Sequence, residues 1–286
     1  MLTATRHLCP ADFFQFELVH QSRKPGSRAR VGRIHTPHGT IHTPGYVSVA
    51  TQGAIKFANH QEASTELMFA NTYHLILQPG PAMIQAAGGL HKFMNRKQPL
   101  ITDSGGFQIF SLAYNSVHDE LKMSARAGSE RKGHTPTLLS VSEDGVEFKS
   151  YRDGTKVTLT PESTVEAQKA IGADIIIPLD ELAPYHTSQD DLVRSVLLTH
   201  RWEARSLRHH LELGHQNQAM YGVIHGGVDK ALRKGSADYL AALPFDGTAI
   251  GGALGKTKDE LVDLRGFLAP LLPSHKPNHL LVNERV

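Results

Sequence analysis

Cysteine is almost absent from this chain: Cys9 is the only one in 286 residues. Neither an intrachain disulfide framework nor a cysteine-based zinc site can be built from it. No stretch approaches the roughly 20 consecutive apolar residues that a membrane-spanning helix requires. The opening MLTATRHLCPADFFQFELVH is charged throughout and lacks the apolar core of a signal peptide, so a cytoplasmic location and no membrane partner are expected. Low-complexity tracts and fixed-period repeats are missing too. A strong excess of either charge is also lacking, with 30 Lys+Arg against 28 Asp+Glu and a formal net charge of +2. That balance permits contact with nucleic acid, but no dense basic stripe demands it. What is present is an ordinary globular composition, 40% hydrophobic and 20% charged, long enough for one α/β barrel of about 250 residues.

From Thr160 onward helices and strands alternate. TPESTVEAQKAIG carries Thr160 as N-cap, Pro161 at the first helical position and Gly172 as the stop. ADIIIPLD follows, an apolar run of strand length with Asp180 at its end. The pattern then recurs: a capped amphipathic helix from SQDDLVRS to HHLELG, the strand AMYGVIHGG, the helix KALRKGSADYLAAL, the strand FDGTAIGG, the helix TKDELVDLRGFLAPLL and a last short strand HLLV. Apolar strands separated by helices indicate a parallel sheet with helices packed over it.

The first half is less regular. ARVGRIHTPHGTIHTPGYV predicts an N-terminal hairpin turning at Pro37-His38-Gly39, and parallel strands are expected to end near Ala50, in ELMFANTYH and in PLITDSGG. The polar stretch of about 112–160 is expected to be an insertion with a hairpin around VEFKSYRDGTKVTL. About seven strands result, which suits a TIM-type (β/α)8 barrel lacking its closing strand, with a doubly wound open sheet as the competitor. The whole of 1–286 is expected to be a single, partial barrel domain.

Several strand ends carry polar chemistry. TDSGGFQ places Asp103, Ser104, Gly105, Gly106 and Phe107 where the buried strand PLIT stops. An acid followed by two glycines there can point into a pocket while the backbone comes close to a ligand, or can simply cap a turn. Asp180 occupies the matching end of another strand. Two carboxylates on one barrel mouth can share acid/base work or grip the N–H edge of a base; taken alone, Asp180 is better explained as held by loop amides. His225-Gly226-Gly227 and Gly251-Gly252 end two further strands, and glycine pairs there let main-chain groups reach a planar ligand. Phe107 and Tyr73 could stack on a base or serve as core. His35, His38 and His42 invite a metal reading, but the hairpin turn accounts for His38 and strand alternation scatters the others, so no metal ligands are assigned.

The motifs TPGYVSVATQGAIK, FANTYHLILQPG, PLITDSGGFQIFSL, GVEFKSYRDGTKVTLTPE, DIIIPLDE, RWEARS, GVIHGG and FDGTAIGG occur in the order typical of the tRNA-guanine transglycosylase (queuine tRNA-ribosyltransferase) family, which the chain resembles from Phe16 to Leu281. The resemblance implies a (β/α)8 barrel that exchanges the wobble guanine in a tRNA anticodon loop for queuine or a queuosine precursor. An aspartate attacks the ribose C1′ and expels guanine, and the incoming base resolves the covalent ester. By position, Asp103 resembles the family's acid/base aspartate, Phe107 its stacking aromatic and Asp180 the carboxylate that reads the guanine edge. Gly251 and Gly252 resemble the glycines whose backbone touches the base, and Ser104, Gly105, Gly106 and His225 fall within the substrate-binding set.

There are departures. His225 stands where bacterial members usually have Gln, and an imidazole cannot present donor and acceptor from one group in the amide's geometry. GGALGKT replaces a GGLAVGE-like run and is one residue shorter. After HKPNHLL the family continues with a glycine-rich, tRNA-contacting loop, a strand bearing the nucleophilic Asp in a D-x-V-x-P-T-R context, and a Cys-x-Cys-x-x-Cys…His zinc site; here VNERV follows. The resemblance therefore implies a C-terminally truncated enzyme with impaired activity, no cofactor and no ligands for the family's structural zinc. The alternatives are a non-catalytic accessory subunit, as a homodimer or paired with a full-length homologue, and a different hydrolase site formed by Asp103 and Asp180 alone.

Overall fold

The computed structural model describes residues 13–56, 58, 65–113, 137–214, 217–252, 254–255 and 257–281, with side chains left out at 111–113. Cys9 and most of the opening segment, residues 114–136 of the expected insertion, Ala253 and Lys256 of GGALGKT, and VNERV lie outside the described residues.

An antiparallel sheet comes first: β1 (Gln15–Gln21), β2 (Arg30–Thr36) and β3 (Gly39–Thr43), with β2 and β3 meeting at the expected turn. Then come β4 (Val47–Val49), β5 (Leu67–Ala70), the short helices α1 (Thr72–Leu77), α2 (Pro81–Ala86) and α3 (Leu90–Met94), β6 (Leu100–Thr102) and α4 (Gly106–Ala113). A second antiparallel sheet holds β7 (Leu138–Val141), β8 (Val146–Lys149) and β9 (Lys156–Leu159). The rest alternates as α5 (Pro161–Ile171), β10 (Ile175–Ile176), α6 (Gln189–Glu212), β11 (Ala219–Ile224), α7 (Lys230–Ala241), β12 (Gly247–Ile250), α8 (Lys258–Leu268) and β13 (Asn278–Leu280). Among the described residues no helix is long and apolar enough to cross a membrane.

The central sheet runs β4-β5-β6-β10-β11-β12-β13, every neighbouring pair parallel. Strand order follows chain order without a reversal. A doubly wound sheet needs a switch point where the order turns back, so that competitor is excluded. The sheet also curls. Phe69 on β5 and His279 on β13 are five strand spacings apart, roughly 24 Å in a flat sheet, yet their rings stack with centroids 6.1 Å apart. The result is a parallel, curled, barrel-like sheet of seven strands with β4 and β13 at its two edges.

Two apolar layers follow from the curl. Outside, Met68, Leu100, Ile176, Met220 and Ile250 pack against helix residues such as Val165, Ile171, Leu207 and Leu264. Inside, Phe69, Ile101, Ile175, Tyr221 and Val223 meet Phe14, Ile34 and Ile41, so the N-terminal sheet fills part of the concave side. Strands buried on both faces read as unbroken apolar runs, which is the pattern seen in ADIIIPLD and AMYGVI.

Two local expectations shift. ELMFANTYH leaves the strand at Ala70, and Thr72, Tyr73 and His74 begin α1 behind Asn71. The second sheet is more than a polar loop over 137–159: Val146, Phe148 and Leu159 are buried against Phe110 and Trp202. Helix α5 is capped as read, with the Thr160 hydroxyl accepting from Ser163 N and Gly172 left-handed at φ 78°.

At the N-terminal ends of the strands, buried Asp174 accepts from His38 Nδ1 (2.7 Å), His91 Nε2 (3.1 Å) and Leu100 N (2.8 Å). It ties the β2–β3 turn and α3 to the starts of β6 and β10. Burial pushes its carboxyl up, but the bonds from His38, His91 and Leu100 N outweigh this and hold it well below the ordinary value of 3.8. The bond to Asp174 raises His38 above 6.5, against burial. A depressed acid contributes stability above its unfolded pKa and loses it on acidification. A raised His contributes below 6.5 and loses it as pH rises through the folded value. The tie is therefore strongest between about pH 4 and 6.5. Asp174→Asn is expected to cost on the order of 2–4 kcal/mol there and to flatten both limbs. Denaturant midpoints from pH 3 to 8 that matched the wild type throughout would show that the tie contributes nothing.

Candidate active site

Four parallel strands deliver the predicted residues to one end of the sheet. Asp103 follows β6 directly, His225 follows β11, Gly251 follows β12, and Asp180 lies four residues past β10. In a curled parallel sheet these C-terminal ends converge, and they border a cavity of about 1470 Å³ that continues along the concave side. Asp103, Ser104, Phe107, Asp180 and Gly252 line it.

Asp103 is buried, and both its oxygens are engaged: Oδ1 accepts from Thr72 N (2.8 Å) and Oδ2 from Asn71 Nδ2 (2.9 Å). Burial pushes its carboxyl up to about 6, with the bonds from Asn71 and Thr72 opposing and the nearby Asp180 adding to the rise. A carboxyl in that range exchanges its proton close to neutral pH, as a general acid/base must.

Asp180 faces it across the glycine pair. A Cβ on Gly106 would lie 2.6 Å from the Asp180 carbonyl oxygen and 2.9 Å from its Oδ1, and one on Gly105, at φ +89°, would lie 2.9 Å from Tyr73 N. The glycines thus serve an approach of β6 to its own neighbours, in addition to any approach to a ligand. Among the described residues no loop amide bonds to the Asp180 side chain. His225 Nε2 sits 2.9 Å from its Oδ2, while the Ser104 hydroxyl stands at 3.5 Å from Oδ1, too long for a sound bond.

The aromatic candidates separate. Phe107 is 36% exposed on the cavity, free to stack on a planar ring. Tyr73 is 1% exposed and packs on Phe148 and Tyr151 at 5.3 and 6.0 Å, so it is core. Gly251 and Gly252 lie beside His225: a Cβ on Gly252 would stand 3.1 Å from His225 Nδ1, and one on Gly251 only 2.5 Å from Val223 Cγ1. His225 itself is 4% exposed, opens onto a small separate cleft with Glu181 and Ser195, and is not in the cavity wall.

Sequence reasoning missed the supporting residues. Asn71 and Thr72 lie within the quoted FANTYH motif, but nothing local shows that they hold Asp103. Arg233, read only as a residue of α7, is fully buried and donates to the carbonyls of Ile224, Gly227 and Gly251, fastening the ends of β11 and β12 together.

One group among the described residues brings metal-ligand atoms together: His38, His91 and Asp174, within 4.8 Å of one another and at the opposite end of the strands from Asp103. Its two imidazoles stack, with centroids 3.5 Å apart and planes 12° apart. A single ion beside both nitrogens would then lie well out of both ring planes, away from the lone pairs that bind metal. The lone-pair directions instead address separate oxygens of Asp174. His35 and His42 do not join this group, for they bond to Thr40 and to Glu66.

Asp103 yields a stability prediction. Its folded pKa, raised from 3.8 to about 6, means that the native state holds its proton longer than the unfolded chain does. Its contribution therefore becomes less favourable as pH rises from about 4 to above 6, by up to about 3 kcal/mol. Asp103→Asn is expected to remove that component, so that its stability relative to the wild type rises by up to about 3 kcal/mol between pH 4 and pH 7.5. A difference in unfolding free energy between the two that stays constant over that range would count against a raised Asp103.

A family profile described as "Queuine tRNA-ribosyltransferase" matches residues 25–282. A queuine tRNA-ribosyltransferase of Protochlamydia amoebophila (strain UWE25) is 57% identical over 272 residues, covering 94% of this chain and 68% of the relative. That of Chlamydia trachomatis serovar L2 is 52% identical over 268 residues, covering 93% and 69%. That of Chlamydia felis is 51% identical over the same length. The order of strand-end residues, the curled parallel sheet and this similarity over nearly the whole chain agree, and the chain belongs to the queuine tRNA-ribosyltransferase family.

Proposed function

We propose that this chain carries the base-handling part of a tRNA base-exchange site, one that replaces guanine in tRNA by queuine or a queuosine precursor. The observation that carries the reading is the pair of carboxylates, Asp103 and Asp180, side by side at the mouth of one cavity in a member of this family. They differ in availability. Both oxygens of Asp103 are held by Asn71 and Thr72, which suits a group that moves a proton without changing place. Among the described residues Asp180 is bonded firmly through Oδ2 only, which leaves Oδ1 to accept from the donor edge, ring N–H and amino group, of a guanine-type base. Phe107 offers a face for stacking, and the backbone at Gly252 borders the same space.

The glycosidic step needs a nucleophile for ribose C1′. Among the described residues the carboxylates lining the cavity are Asp103, Asp180 and Glu66. Glu66 stands at the start of β5, away from the mouth, and is bonded to His42. The two mouth carboxylates are accounted for by proton transfer and base reading, so the nucleophile is assigned outside the described residues, as the family resemblance implies. The family's structural zinc likewise finds no cysteine ligands in this sequence beyond Cys9.

Guanine is expected to bind the purified chain without tRNA. Asp180→Asn, which places an amide against the donor edge of the base, should weaken that binding about 10- to 100-fold. Titration calorimetry showing equal affinity would remove Asp180 from base reading. For the reaction itself, incorporation of labelled guanine into unmodified tRNA should fall about 10²- to 10⁴-fold in Asp103→Asn. Incorporation that survives the substitution would take Asp103 out of the mechanism.

A further inference from the structure

Among the described residues Asp180 has one firm hydrogen bond through its side chain, and the residue that makes it does not line the cavity. Among the described residues, His225 is the side chain that reaches the Asp180 carboxylate at under 3 Å, through Nε2 to Oδ2. A carboxylate can only accept, so Nε2 is the nitrogen that carries the proton. His225 is 4% exposed and does not line the cavity that Asp180 lines, so its ring is placed to act on Asp180 and not on a base directly.

The imidazole is held from several sides. Its backbone N–H donates to Ser236 Oγ (3.1 Å) on α7, and that hydroxyl also bonds to His200 Nε2 (3.0 Å) on α6. Arg233 fastens the Ile224 and Gly251 carbonyls that flank the ring. Gly252 leaves the space it fills, since a Cβ there would press on Nδ1 at 3.1 Å. Of the charged groups around it, Asp180 accepts from the ring Nε2–H, Glu181 follows on the same loop, and Glu203 on α6 accepts from Val223 N through Oε1.

We propose that His225 is the positioning residue for Asp180: by occupying Oδ2 it fixes the carboxylate with Oδ1 toward the cavity, and so selects bases that pair a ring N–H with an adjacent amino group. The proposal rests on the base-binding reading above. It gives His225 a role that touches no substrate, and it accounts for Gly252 through the room the imidazole takes.

The test measures guanine and hypoxanthine binding by calorimetry in the wild type, His225→Leu and His225→Gln. Hypoxanthine keeps the ring N–H and lacks the amino group. Leu removes the donor, and is expected to weaken guanine about 10- to 100-fold while bringing the guanine-to-hypoxanthine preference close to one. Gln can donate from its amide, and is expected to restore most of both. Retention of guanine affinity within threefold and of the preference in His225→Leu would overturn the proposal while leaving the base site standing. Absence of guanine binding to the wild type would instead sink the base-site reading, and this proposal with it. Should His225→Leu fail to fold, nitrogen NMR of the wild-type histidines decides. The His225 Nε2–H resonance is expected to shift on saturation with guanine, and an unmoved resonance rejects the role.

Discussion

Two carboxylates placed next to each other away from bulk water repel, and the mouth of this sheet depends on how that repulsion is managed. The solution is unequal support. Asp103 takes an amide N–H and a side-chain amide, one per oxygen, and still has its proton affinity raised by burial. Asp180 is tied from behind by an imidazole. The two groups can be close because Gly106 leaves out a side chain that would press on Asp180, while Gly105 leaves out one that would press on Tyr73 of α1. Distinct surroundings for two like acids are the usual means of giving them distinct tasks.

The opposite end of the sheet has another organisation. There a single buried acid, Asp174, gathers donors from a turn, a helix and a strand start. Asp174, His38 and His91 do not line the cavity at the other end, and the stacking of His38 on His91 points their nitrogens at separate oxygens of Asp174 rather than at one shared ion. The fold thus separates its holding chemistry from its working chemistry by the length of the strands, as parallel barrels generally do.

Much of this was legible in the residues. Apolar runs ending in Asp103, Asp180, His225 and Gly251 marked strand ends, and in a parallel sheet strand ends share a side. Helix limits were readable at Thr160, Pro161 and Gly172, where capping is a local matter. What stayed hidden was long-range pairing. His91 and Asp174 are 83 positions apart, His225 and Asp180 are 45 apart, and Asn71 and Asp103 are 32 apart. No periodicity within either segment encodes such a contact. Arg233 was hidden differently, because a buried arginine in a helix looks like any solvent-facing one until its carbonyl partners are located. The number of strands was legible as about seven and a barrel was expected of them; the stacking of Phe69 on His279 shows the curl directly.

The guanidinium of Arg30, on β2, donates to the carbonyls of Ser274 and Lys276 just before β13. The two partners are separated by 244 and 246 positions. During synthesis the N-terminal sheet emerges first, and at about 5–20 residues per second it waits roughly 12–50 s before the segment that completes its surroundings exists. Ile34 and Ile41, which finally face the inside of the curled sheet, are without most of their neighbours for that interval. The apolar side of the N-terminal sheet therefore stays uncovered in the nascent chain for that time, and the wait is set by sequence distance rather than by the stability of any one contact.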